Sequence, residues 1–282
     1  MECKIRDVNI YYEQVGTGRP ILMLHGWPID HRIMVHDMEP LFDTRNGWRR
    51  IYPDLPGMGK THAPEWITHQ DHMLEVTLEF MDAVAPGERF VVAGTSYGGY
   101  LARGVLHKRL AQIDGLLLCQ PVVETDANKR HLPPHLIVRK DRAFLDALKP
   151  EEQDMRNMIV VQSLETLEIN RKVIFPAISI ADHAFLARLY ANYAFSFEVD
   201  QLPEPFPGPT LILTGRQDNW CGYREAYQIL DNYPRGTFAV LDRAGHALNT
   251  EQITLFRALV SEWLDRVEEY APLGKLPKFE LA

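Results

Sequence analysis

Residues 90–103 read Phe90-Val-Val-Ala-Gly-Thr-Ser-Tyr-Gly-Gly-Tyr-Leu-Ala-Arg103. The stretch changes character at its centre. A strand at 89–93, apolar from Phe90 to Ala93, enters Gly94-Thr95-Ser96-Tyr97-Gly98, and small and apolar residues then continue at helical spacing to about His107. With five serines and 18 glycines among 282 residues, about 0.02 GxSxG matches are expected by chance. The motif carries meaning only between a strand and a helix, where a sharp turn raises the serine hydroxyl clear of the backbone. That context is met here, so Ser96 is a candidate nucleophile.

Outward from this stretch, short apolar runs alternate with helical patterns. Residues 4–15 hold β-rich segments, and the runs 20–24, 50–54 and 113–119 read as strands. The spacing of Met73, Val76, Leu78, Phe80, Met81 and Val84 predicts a helix over 69–84, stopped by Pro86-Gly87. Strands that are apolar throughout and alternate with helices indicate a parallel sheet covered on both faces. From Gln120 to about Pro209 the alternation stops. Pro150 with Glu151 and Glu152 opens a helix by its first-turn chemistry, and 181–193 reads as another. The alternation resumes with a strand at 210–214, a helix at 222–232, a strand at 237–241 and an amphipathic helix over 250–269, followed by a Pro- and Gly-containing tail. The organisation expected is an α/β core of 1–121 and 205–282, interrupted by a helical insertion at 122–204.

Ligands of parallel α/β sheets bind beyond the carboxyl ends of the strands. The residues just past each apolar run are therefore informative. His25-Gly26-Trp27-Pro28 stands after the first, Ser96 after the motif strand, Gly215-Arg-Gln-Asp218 after the strand at 210–214, and Asp242 to His246 after the last. A serine hydroxyl is a poor nucleophile at neutral pH and needs an adjacent base. His246 supplies one, and Asp218 would fix its tautomer and stabilise the imidazolium. The amides of Tyr97, at a helix N-terminus, and Trp27 are the candidate oxyanion donors. His25 and Asp54 read as loop-stabilising groups. Glu124 and Asp126 are the alternative positions for the acid. The aromatics Phe175, Phe185, Tyr190, Tyr193 and Phe195 read as core residues ahead of pocket residues.

These motifs together make the chain resemble the α/β-hydrolase fold over nearly its whole length. They are the HG-x-P loop at 25–28, D-x-P-G-x-G at 54–59, the serine turn at 94–98, G-R-x-D at 215–218 and G-H at 245–246. The resemblance implies a mostly parallel sheet flanked by helices, with 122–204 as a helical cap domain over the site. Haloalkane dehalogenases and epoxide hydrolases carry Asp where this chain has Ser96, and proline iminopeptidases carry HGGPG, which is absent at 25–28. The reading that results is a serine hydrolase of the esterase kind, acting on a small, largely apolar carboxylic ester or lactone. Carbon–carbon bond hydrolysis and cofactor-free perhydrolase or haloperoxidase chemistry share the same residues. A non-catalytic ligand-binding receptor of this fold is the alternative from another class.

A net charge of −8 disfavours a nucleic-acid partner. Cys3, Cys119 and Cys221 are too few and too widely spaced for a disulfide framework or zinc motif. No Gly-rich phosphate loop or nucleotide fingerprint occurs, so no cofactor and no metal are expected. The first residues, MECKIRDVNIYYE, hold no apolar stretch of signal length, and no run approaches the ~18 apolar residues of a membrane helix. A cytoplasmic protein with a small-molecule substrate and no membrane partner is expected. The oligomeric state stays open.

Overall fold

The computed structural model describes residues 1–153 and 155–270. Its centre is an eight-stranded sheet built from β1 (Glu2–Ile5), β2 (Val8–Val15), β3 (Arg19–Leu24), β4 (Trp48–Pro53), β5 (Phe90–Thr95), β6 (Ile113–Cys119), β9 (Thr210–Gly215) and β10 (Gly236–Leu241). Two short strands, β7 (Arg139–Lys140) and β8 (Val161–Gln162), pair with each other outside it. The order across the large sheet is β1-β2-β4-β3-β5-β6-β9-β10. β2 runs antiparallel to both β1 and β4, and every later neighbour is parallel.

The strands are apolar throughout because both faces are covered. Successive residues point to opposite faces, so Leu22 and Leu24 join one core with Val92, Leu116 and Ile212. Ile21 and Met23 join the other with Val91, Leu117 and Leu213. Helices Gln70–Val84 and Tyr97–Arg109 cover the first face through Met73, Phe80, Leu101 and Val105. Helices Arg32–Met38 and Ile253–Tyr270 cover the second through Ile33, Phe256, Val260 and Trp263.

Register aligns the carboxyl ends. Leu24 pairs with Gly94, Gly94 with Leu118, Leu118 with Ile212 and Ile212 with Phe238. The residues that come after β3, β5, β6, β9 and β10 therefore emerge along one edge. Between the neighbours β6 and β9 runs the long helical excursion. It has a small core of its own, Phe144, Met155, Ile159 and Leu167 with Phe175 against it. Its later part, including Phe185, Leu189 and Phe195, packs into the first face of the sheet's core.

Several boundaries differ from the sequence expectation. Pro150–Glu152 is a single 3-10 turn, and the expected helix over 222–232 is split into Arg224–Gln228 and a 3-10 turn at Leu230–Asn232. The helix expected over 250–269 is interrupted at Gln252, where Leu248–Glu251 ends and Ile253–Tyr270 begins. A run from Leu164 to Ile180, with a π-helical turn at Asn170–Ile174, is not anticipated from sequence because Pro176 lies inside it. Proline is accommodated there at the start of the segment Phe175–Ile180. The expected tail lies outside the described residues. Among the described residues no single helix is long and apolar enough to cross a membrane.

Candidate active site

Ser96 sits between β5 and the Tyr97–Arg109 helix with φ +53° and ψ −116°. A non-glycine residue at positive φ is strained by ~1–3 kcal/mol and persists only when its surroundings hold it. Here they do. Its amide donates to Cys119 O at 2.9 Å, and its carbonyl accepts from Gly99 N at 3.0 Å and Val122 N at 3.1 Å. The glycines flanking the turn are sterically required. A Cβ on Gly94 would overlap the Gly98 carbonyl, and one on Gly98 would overlap the carbonyls of Leu24 and His25.

His246 comes after β10, and its Nε2 lies 2.9 Å from Ser96 Oγ. Its Nδ1 lies 3.0 Å from Asp218 Oδ2. Asp218 is fully buried, and its other oxygen accepts from the amides of Trp220 (2.8 Å) and Cys221 (3.0 Å). Burial alone would raise the Asp218 carboxyl. The neighbouring His246 and the two amides outweigh it and hold the acid below the usual carboxylate range. For His246, burial opposes the imidazolium, yet the Asp218 charge at 3.0 Å wins and the ring is held well above the usual histidine value. Trp220 stacks on the imidazole at 5.3 Å between centroids and 21° between planes.

The structure thus brings Ser96, His246 and Asp218 into one hydrogen-bonded chain. Glu124 and Asp126 do not reach it: Glu124 accepts from Asp126 N, and Asp126 from Asn128 N, both on the surface. Tyr97 is the first residue of the helix after Ser96, and Trp27 directly succeeds Gly26, whose added Cβ would stand 3.3 Å from Ser96 Cβ. The rings of Trp27 and Tyr97 meet edge to face at 5.1 Å. His25 is buried and neutral in character, its Nε2 accepting from Leu55 N at 3.0 Å. Asp54 accepts from His31 N at 3.0 Å and Lys60 N at 2.9 Å, tying its loop together.

Two groups around His246 are missed by the sequence reading. Gln120, directly after β6, donates from Nε2 to the His246 carbonyl at 2.8 Å and to Asn249 Oδ1 at 2.9 Å. Its position after a strand is a signal of the same kind that marks Ser96. Glu251 is buried and accepts from Gly245 N at 2.6 Å, Val160 N at 2.7 Å and Val161 N at 3.2 Å. Burial pushes its carboxyl up, and the three amides offset part of the rise. Nothing in the sequence separates Glu251 from an ordinary surface acid on a helix.

A cavity of about 150 Å³ opens beside Ser96 and His246. Trp27, Ile33, Ile159, Ile174, Ile178 and Trp220 give it mostly apolar walls, and Asn170 adds one amide from the helical excursion. The aromatics weighed from sequence lie elsewhere. Tyr193 packs on Trp27 and Tyr97, Phe195 stacks on Tyr100 at 4.3 Å, and Tyr190 is half exposed.

The chain belongs to the α/β-hydrolase family, whose model matches residues 21–258. It is similar to AB hydrolase superfamily protein YisY of Bacillus subtilis, 32% identical over 276 residues that cover 91% of this chain and 95% of that one. It is also similar to a pimeloyl-[acyl-carrier protein] methyl ester esterase of Legionella pneumophila, 22% identical over 91% of this chain and 100% of the relative. Among solved structures, an alpha/beta superfamily hydrolase from Oenococcus oeni superposes with a TM-score of 0.86 at 27% identity, covering 95% and 99% of the two chains. The protein is a hydrolase-family enzyme with esterase relatives.

Proposed function

We propose that the protein is a serine hydrolase that cleaves a small, largely apolar carboxylic ester or lactone through Ser96, His246 and Asp218. The observation that carries the reading is the unbroken relay from Ser96 Oγ to His246 Nε2 (2.9 Å) and from His246 Nδ1 to Asp218 Oδ2 (3.0 Å), opening on an apolar cavity. Neutral His246 takes the hydroxyl proton as Ser96 attacks the carbonyl, and returns it to the departing alkoxide. Asp218 keeps the proton of the resting imidazole on Nδ1, so Nε2 is the free acceptor. The amides of Tyr97 and Trp27 receive the oxyanion. Water then attacks the acyl-enzyme with His246 again as base. The excursion between β6 and β9 acts as the cap, and its Ile159, Ile174 and Ile178 set an aliphatic acyl pocket. The esterase named among the relatives supports the same bond class.

The test is intact-mass spectrometry after fluorophosphonate treatment of wild type, Ser96→Ala and His246→Ala. One adduct per chain, mapped to Ser96 and lost or greatly slowed in both variants, is the expected result. A folded wild type that takes no adduct would overturn the proposal. An ester and lactone panel then assigns the substrate class.

A further inference from the structure

We infer that the underside of the Ser96–His246–Asp218 chain is a binding site for a soft divalent metal ion, and that zinc bound there switches the proposed catalysis off. A carboxylate oxygen of Asp218, the Cys221 sulfur and a ring nitrogen of His246 all lie within 4.8 Å of one another. The histidine nitrogen that faces Asp218 is Nδ1, while Nε2 faces Ser96. Tetrahedral zinc needs its sulfur, nitrogen and oxygen ligands separated by about 3.3–3.6 Å, from bond lengths near 2.0–2.3 Å. The Nδ1 to Oδ2 distance of 3.0 Å requires only a small opening to admit the ion.

The donor set selects the metal. One thiolate, one imidazole and one carboxylate suit zinc and its softer relatives, whereas magnesium and calcium prefer oxygen alone. The three ligands are also pre-positioned. Asp218 is fixed by the Trp220 and Cys221 amides, and Trp220 lies flat on the imidazole as a half-exposed cover. The other buried grouping of this kind among the described residues, Asp30, His31 and Asp54, offers no thiol, and its Asp30 is already paired with Arg32 at 2.9 Å.

The consequence for the relay is chemical. Zinc takes the Nδ1 lone pair, so the single proton of the neutral ring must sit on Nε2. The Cys221 thiol proton, and the second ring proton where His246 is imidazolium, leave to solvent. His246 Nε2 is then a donor toward Ser96 Oγ and can no longer accept its proton.

Binding does not require turnover, so it is measured on Ser96→Ala, which keeps all three ligands. Calorimetry with zinc is expected to give one ion bound per chain. Cobalt in place of zinc is expected to show a thiolate charge-transfer band on the same protein. Cys221→Ala and Cys221→Ser are each expected to remove that band and to weaken zinc binding by at least roughly tenfold. In catalytically competent protein, zinc is expected to abolish hydrolysis and a chelator to restore it. The activity ratio with and without zinc is compared between wild type and both Cys221 variants, so any change in their basal rate cancels. Zinc that binds or inhibits the variants as strongly as wild type, or cobalt without a thiolate band, would overturn the inference. The inhibition rests on the proposed roles of His246 and Ser96. Binding without inhibition would refute the switch, whereas a missing fluorophosphonate adduct in zinc-free wild type would refute those roles instead.

Discussion

Asp218 and His246 displace each other's proton affinities in opposite directions, with the Trp220 and Cys221 amides adding to the effect on Asp218 and Cys221 to that on His246, and their contact bears on the pH dependence. Catalysis as proposed needs neutral His246. Because Asp218 raises the imidazole above its ordinary range, kcat/KM should climb with pH through a midpoint above the usual histidine value of about 6.5. Asp218→Asn removes the charge that opposes burial, so that limb should move to lower pH. The same substitution loses control of the imidazole tautomer, and kcat should fall by about 10⁴-fold. A pH–rate series on both proteins checks both statements, and an unmoved limb would place the controlling proton elsewhere. At this scale much was readable in advance. Ser96, His246 and Asp218 each stand after a strand in a distinctive local setting. Gln120 stands in such a setting too, but no glycine frame marks it, and Glu251 gains its partners only when distant backbone folds over it.

Glu251 belongs to the short helix Leu248–Glu251, and it fastens two elements at once. It holds the amide of Gly245, which precedes the candidate base, and the amides of Val160 and Val161 at the start of β8. Glu251→Ala strands three buried amides at ~1 kcal/mol each, so stability should drop by roughly 3 kcal/mol. Thermal or denaturant melting measures this. With the His246 loop loosened, kcat should fall even in conditions where the variant is fully folded. A melting point unchanged from wild type would show that solvent replaces these bonds. Elements themselves were legible where periodicity was unbroken, as in Phe90–Thr95, Tyr97–Arg109 and Gln70–Val84. They were obscured where a proline or a single irregular residue interrupts the pattern, as at Pro176 and Gln252. There, tertiary packing decides between a break and a continued helix.

Across the whole molecule, Arg103 ties the sheet's helical cover to both ends of the excursion between β6 and β9. Its guanidinium is buried, donating to Val122 O at 2.7 Å near the start of the excursion and to Asp200 at 2.9 and 3.0 Å near its end. Asp200 is partly exposed, so water can take over some of its solvation when the pair is broken. Arg103→Met should therefore cost roughly 2 kcal/mol, below the range for a fully buried pair. The excursion should also become more open to limited proteolysis than the sheet, which peptide mapping of early cleavage sites would reveal. Uniform cleavage rates in wild type and variant would remove Arg103 from this role. The layered architecture was readable because strand and helix periods alternate along the chain. The excursion's internal path was not, since its small core draws on Phe144, Met155, Ile159 and Leu167 at no regular spacing.

The order of these pieces along the chain also has a temporal meaning during protein synthesis. Ser96 leaves the ribosome 150 residues before His246, the partner that lies 2.9 Å from it in the finished fold. Residues 2–119 contain six of the eight strands of the large sheet, while β9 and β10 are added to its edge only after the excursion has been made. A nascent chain carrying Ser96 therefore lacks Asp218 and His246 until its final third emerges. On the proposed roles of Ser96 and His246, hydrolytic competence arrives late in biosynthesis, and truncated translation products containing the serine turn should lack it.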